Sequence, residues 1–253
     1  MQPAVNWMGK RGTDRLKSLP LAVPGGREPG SGANPHLVEE AVRAGPPLHD
    51  ARVAAVVVHG RDQDPAYMLE HLVEPLALPG IAYLLPVAAG RSWYPRRYFD
   101  PRAANEPWLS AAVEACEATV ELALEAGIPP KRIVLAGFSQ GACLLAEFIV
   151  RRPRPYGAAA LLTGALIGAP EELAPPGGLP LPPLGGLPVA MVSSRHDDWV
   201  SIDDVRATAR AFEVAGARVD LRVLDDRQHL IAPAAVQSVR ELLEATRYAA
   251  HER

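Results

Sequence analysis

Cysteine is almost missing from this chain: only Cys116 and Cys143 occur in 253 residues. Both lie in apolar, helix-like stretches, so no disulfide framework is expected and a reducing compartment such as the cytoplasm suits the sequence. Neither has the setting of a nucleophile. An excess of positive charge is missing too, with 26 Lys+Arg against 29 Asp+Glu and a formal net charge of −3. That argues against a nucleic-acid partner, which normally meets a basic face. No apolar run approaches the ~18 to 20 residues of a membrane span. Lys10, Arg11, Arg15 and Lys17 are followed by no apolar core, so no secretory signal is expected. Aromatic residues make up only 6%, which makes their concentration in one loop, described below, informative.

What is present is a globular composition, 48% hydrophobic, long enough for one large α/β domain. Residues 1–35, which include PGGREPGSG, lack any sustained period and read as a flexible leader. Residues 36–253 read as the folded domain. Apolar, β-branched runs of strand length occur at Val53–Val58, Ile81–Pro86, Ile133–Ala136, Tyr156–Leu162, Val189–Ser194 and Ala217–Leu224. The last of these alternates in polarity and is expected near an edge. Helical patterns lie between them, at Leu109–Ala126, after Ser139, at Ile202–Ala215 and from Pro233 to about Ala249. Asp64-Pro65 supplies an N-cap and a first-turn proline for a further helix, and Ser201 with Asp204 forms a capping-box-like start. The Pro/Gly-dense stretch 169–188 is expected to hold no regular structure and to serve as a surface loop or partial lid. The alternation specifies a mostly parallel central sheet of about seven strands with helices on both faces. In such sheets, sites gather at the carboxyl ends of the strands.

One of those ends carries Gly137-Phe138-Ser139-Gln140-Gly141. A Gly-x-Ser-x-Gly arises by chance in about one chain in ten of this length at average glycine usage, so the context decides. Here a buried-strand pattern precedes it and a helix follows. A sharp strand-to-helix turn would bring the residues two before and two after Ser139 together, which glycine alone permits, and would raise the hydroxyl above the sheet. The bland alternative is a tight turn with an idle serine.

A serine needs a base, and the base needs an orienting group. After the Val189–Ser194 run comes Arg195-His196-Asp197-Asp198-Trp199, and after the Ala217–Leu224 run Asp225-Asp226-Arg227-Gln228-His229. Ser139, Asp197 and His229 therefore follow the chain order nucleophile, acid, base. Asp198 is the second choice for the acid. Asp203, Asp204, Asp225 and Asp226 read as helix-start and surface charges, and no ligand spacing supports a metal cluster around His196. The early strand ends in His59-Gly60-Arg61, placing the N–H groups of Arg61 and Gln140 as candidate oxyanion donors, with His59 in a packing role. The loop after Ile81–Pro86 holds Trp93, Tyr94, Tyr98 and Phe99, candidate walls of a substrate pocket or the means by which the loop is tacked down.

These residues together resemble the phospholipase/carboxylesterase family of α/β-hydrolases, which includes acyl-protein thioesterases and small bacterial carboxylesterases. The resemblance runs from about Pro35 to the last helix and rests on HGRDQDP, GRSWYP, NEPWLSAA, AGFSQGACL, HDDWVS and the lone His229. Asp198 and Ser201 stand where the family usually has prolines, and 169–188 is longer than its usual link. The resemblance implies an α/β-hydrolase fold, Ser139 as nucleophile, Asp197 and His229 as its partners, and Arg61 and Gln140 at the oxyanion positions. It implies a cofactor-free, metal-free carboxylic-ester hydrolase acting on small to medium acyl esters. Acyl-protein thioesters, lysophospholipids and lactones are alternatives within the same chemistry, and a non-catalytic binding module is the alternative outside it. The expected partner is a small-molecule ester; a homodimer is left open.

Overall fold

The computed structural model describes residues 33–173 and 180–249. The expected leader, apart from its last three residues, and the middle of the Pro/Gly-dense stretch lie outside the described residues. Seven strands form one sheet in the order β1-β3-β2-β4-β5-β6-β7. They are β1 (Val42–Ala44), β2 (Val53–Val58), β3 (Ile81–Leu85), β4 (Ile133–Phe138), β5 (Ala158–Leu162), β6 (Pro188–Ser194) and β7 (Arg218–Leu224). Only β1 runs antiparallel, against β3. The other neighbours are parallel.

The unbroken burial of β2, β3, β4 and β5 explains why they read as continuous apolar runs, since both faces are covered. On one face Val56, Leu135, Leu161 and Met191 pack with helices α4 (Trp108–Glu125), α5 (Gln140–Arg151) and α7 (Ile202–Val214). On the other, Val57, Ala136, Phe138 and Leu162 pack with α8 (Pro233–Ala249) and the helical stretch α1 (Pro65–Met68), a π-helical turn over Leu69–Val73, and α2 (Glu74–Leu76). β7 is the outer strand beside β6, and its partly exposed pattern matches the edge expectation. No helix among the described residues is long and apolar enough to cross a membrane.

Several details differ from the sequence expectation. β1 was not legible, because three exposed or half-exposed residues before Gly45-Pro46-Pro47 carry too little pattern. The stretch 169–188 is not wholly irregular: α6 (Pro170–Leu173) forms one helical turn within it, and its end at Pro188 opens β6. The loop between β3 and α4 contains a further turn, α3 (Arg102–Asn105). Its Arg102 bonds the buried Glu147 of α5, which also takes Arg151, itself bonded to Glu106. This ion network fastens the aromatic loop to the helix that follows Ser139.

Candidate active site

Ser139 sits at the junction of β4 and α5 with φ 53° and ψ −120°, a backbone conformation that costs a non-glycine residue of order 1–3 kcal/mol. The surroundings hold it there: its N–H donates to Leu162 O at 2.9 Å and its carbonyl accepts Cys143 N–H at 3.0 Å. The flanking glycines are required by contact. A Cβ on Gly137 would stand 2.6 Å from Gly141 O, and one on Gly141 would overlap the carbonyl oxygens of Val58 and His59. The turn brings the two glycines together, and glycine is what permits the approach.

Three chain-distant side chains converge on this corner. His229 Nε2 lies 2.8 Å from Ser139 Oγ, and His229 Nδ1 lies 2.8 Å from Asp197 Oδ2. With a neutral ring, these partners assign the Nδ1–H tautomer, which donates to the carboxylate and leaves Nε2 to accept from the hydroxyl. The Asp197 side chain is fully buried. Its Oδ1 accepts the N–H of Trp199 at 2.7 Å and of Val200 at 3.0 Å, so three donors offset the loss of water. Asp198 faces solvent. The loop carrying His229 is held by Ser194 Oγ, which donates to Gln228 O at 2.7 Å. His229 packs against Phe138 at 5.2 Å between ring centroids and Trp199 at 6.1 Å.

The N–H groups of Arg61 and Gln140 donate to no acceptor among the described residues. Gly60 lies against Ser139, since a Cβ on it would be 3.2 Å from the serine Cβ, so Arg61 begins beside Ser139. Its guanidinium turns away to Tyr94 O, Pro95 O and Arg96 O. Burial lowers its pKa from the usual arginine value. The buried Gln140 side chain accepts Trp93 N–H at 3.0 Å and donates to Tyr94 O at 2.9 Å. Both residues thus anchor the aromatic loop through their side chains while their backbone N–H groups stay unpaired.

Two comparisons decide the family. A phospholipase/carboxylesterase family model matches residues 55–247. The chain belongs to the phospholipase/carboxylesterase family. The crystal structure of a phospholipase/carboxylesterase from Dyadobacter fermentans DSM 18053 is 32% identical, with a TM-score of 0.74, covering 81% of this chain and 96% of that one. Esterase PE8 (21% identity, TM-score 0.66, 81% and 97% covered) and a carboxylesterase from Mesorhizobium loti (20%, 0.60, 81% and 99%) share the fold. No curated protein matches the chain. The protein is accordingly a carboxylesterase/phospholipase-type serine hydrolase with the α/β-hydrolase fold.

In this family member the four loop aromatics part ways. Trp93 and Tyr94 are fully buried, and the Trp93 indole N–H donates to His59 O at 2.8 Å. They offer a ligand no surface and tack the loop down. Tyr98 is buried beneath Phe99, and Phe99 is exposed. His59 is packed, as its strand-end position suggested, with Nδ1 toward Gly60 O and Nε2 accepting Ala88 N–H. His196 is exposed, and no three His, Cys, Asp or Glu among the described residues are grouped to hold a metal ion.

Sequence reasoning missed the supports. His36 Nδ1 accepts Ala89 N–H and its Nε2 meets Trp93 O, while Asn34 Nδ2 donates to Ala111 O. Asn105 brackets Arg96 N–H and Arg97 O. The Asn34 and His36 bonds reach backbone more than fifty residues away, and those of Asn105 span eight and nine residues inside an irregular loop, so no periodic pattern announces them.

Proposed function

We propose that the protein hydrolyses carboxylic esters of small to medium acyl groups through an acyl-enzyme formed on Ser139. His229 takes the hydroxyl proton as Ser139 attacks the ester carbonyl and returns it to the leaving alkoxide. Asp197 holds the ring and favours the imidazolium. The Arg61 and Gln140 N–H groups receive the tetrahedral oxyanion. Water then repeats the sequence on the acyl-enzyme. The single observation that carries this reading is the unbroken chain Ser139 Oγ, His229, Asp197 at 2.8 Å per link. The unpaired N–H groups support the oxyanion assignment. Small to medium acyl groups suit a site where Trp93 and Tyr94 are packed away and the exposed rings are Phe99 and Trp199. A cytoplasmic setting accords with two buried, unpaired cysteines.

The test is hydrolysis of p-nitrophenyl esters from acetate to palmitate by wild type and by Ser139→Ala. The variant is expected to lose roughly 10⁴- to 10⁶-fold in kcat while remaining folded. Retained turnover would sink the mechanism, and an optimum at palmitate would replace the acyl-length assignment.

A further inference from the structure

We infer that Tyr98 is a positioning residue of the proposed triad, its hydroxyl inserted into the cap of α7 so as to lock the loop that presents Asp197 to His229. The inference rests on the triad reading above. In an ordinary capping box the residue three beyond the cap returns its carboxylate to the cap N–H. Ser201 and Asp204 have that spacing, and Ser201 Oγ does accept Asp203 N–H at 3.2 Å. The return contact is different. Ser201 N–H donates to Tyr98 Oη at 3.1 Å, and Tyr98 O–H donates to Asp204 Oδ2 at 2.8 Å. A hydroxyl from about a hundred residues upstream completes the box.

Asp197 takes both bonds on its Oδ1 from its own loop, so the carboxylate moves when the loop moves. The upstream end of that loop is tied to the β7 side by Arg195 N–H to Leu224 O and His196 N–H to Asp226 O. The downstream end is tied where Ser201 N–H donates to Tyr98 Oη. Tyr98 is itself braced, since its carbonyl accepts Gly168 N–H at 2.7 Å. Burial and Asp204 raise its hydroxyl pKa far above the usual tyrosine range, keeping it a donor. With the bridge broken at either bond, the downstream end of the acid loop loses a tie that fixes it and is free to shift. A shift of about 1 Å at a catalytic group can cost on the order of 10²-fold.

The experiment is ester hydrolysis by Tyr98→Phe, Asp204→Ala and the double variant, with Ser139→Ala as reference. Expected is a fall in kcat of about 10- to 100-fold for each single variant with KM changed less than about twofold. The double variant should be no worse than Tyr98→Phe, because the hydroxyl's bond to Asp204, the one contact that Asp204→Ala removes, is already gone. The acid limb of the kcat/KM profile should move to lower pH as the carboxylate's support of the protonated ring weakens. A raised KM at unchanged kcat would make Tyr98 a substrate wall and overturn the inference. So would unchanged kcat and pH limb at a lowered Tm, or additive losses in the double variant. Should Tyr98→Phe fail to fold, Asp204→Ala reads the same contact from its half-buried end. Wild-type behaviour of these variants beside an inactive Ser139→Ala would remove the bridge and leave the triad; an active Ser139→Ala would remove the triad.

Discussion

Adjacent aspartates with opposite surroundings define the residue scale. Asp197 is enclosed and bonded by three donors, whereas Asp198 meets water. An amide at 197 would still accept the Trp199 and Val200 N–H groups but could turn an NH₂ toward His229 Nδ1. The ring would then carry its proton on Nε2 and could not accept from Ser139. Asp197→Asn is therefore expected to lower kcat by on the order of 10³ to 10⁴ with little loss of stability, and Asp198→Asn to stay within a few-fold of wild type. Equal effects from the two, measured on one p-nitrophenyl ester, would overturn the assignment of the acid. The sequence placed Ser139, Asp197 and His229 at strand ends because strand, turn and chain order are local properties. It left Asp197 and Asp198 as first and second choices because side-chain direction in a loop has no period.

Among elements, the loop between β3 and α4 depends most on contacts remote in sequence. Gln140 holds Trp93 and Tyr94 and Arg61 holds 94 to 96, while Asn105, within the loop itself, holds 96 and 97. Gln140→Ala would leave the buried Trp93 N–H without a partner, at about 1–3 kcal/mol, while Tyr94 O keeps Arg61 and Ser92. A fall of about 1–3 kcal/mol in urea-unfolding free energy is expected, while the residue's own N–H, a main-chain group, survives. A change below about 0.5 kcal/mol, the scale of a neutral surface substitution, would show the loop to be held otherwise. The capping box at α7 shows the same limit: Ser201 and Asp204 are visible as a pair, but the tyrosine that completes it is not.

For the molecule as a whole, two buried histidines link stability to pH. His36 accepts Ala89 N–H and His59 accepts Ala88 N–H, each donating its other ring nitrogen to a carbonyl. Protonation would set N–H against N–H at both. Burial above all lowers both pKa values from 6.5 to about 4. The unfolded chain takes up these protons as pH falls through 6.5, while the folded sites resist until about 4. Stability present above pH 6.5 is thus lost as pH falls toward 4, by up to about 3 kcal/mol per histidine. Urea unfolding at pH 7 and pH 4.5 should show it, and His36→Gln, which keeps a donor and an acceptor, should reduce the slope. Equal stability at the two pH values would contradict the assignment.

The sequence by itself determined the alternation of buried strands and helices, the parallel sheet this implies, the glycine-flanked corner at Ser139 and the order of Ser139, Asp197 and His229 along the chain. These follow from periodicity, backbone sterics and strand-to-helix connection, all properties of neighbouring residues. Only the tertiary structure decided that the Asp197 carboxylate, rather than that of Asp198, meets His229. It also decided that Trp93 and Tyr94 lie beneath the loop while Phe99 faces outward, that β1 joins the sheet edge, and that Tyr98 enters the α7 cap. Each depends on which distant backbone groups a side chain can reach once the sheet has brought the strand ends together, a distance the linear order does not contain.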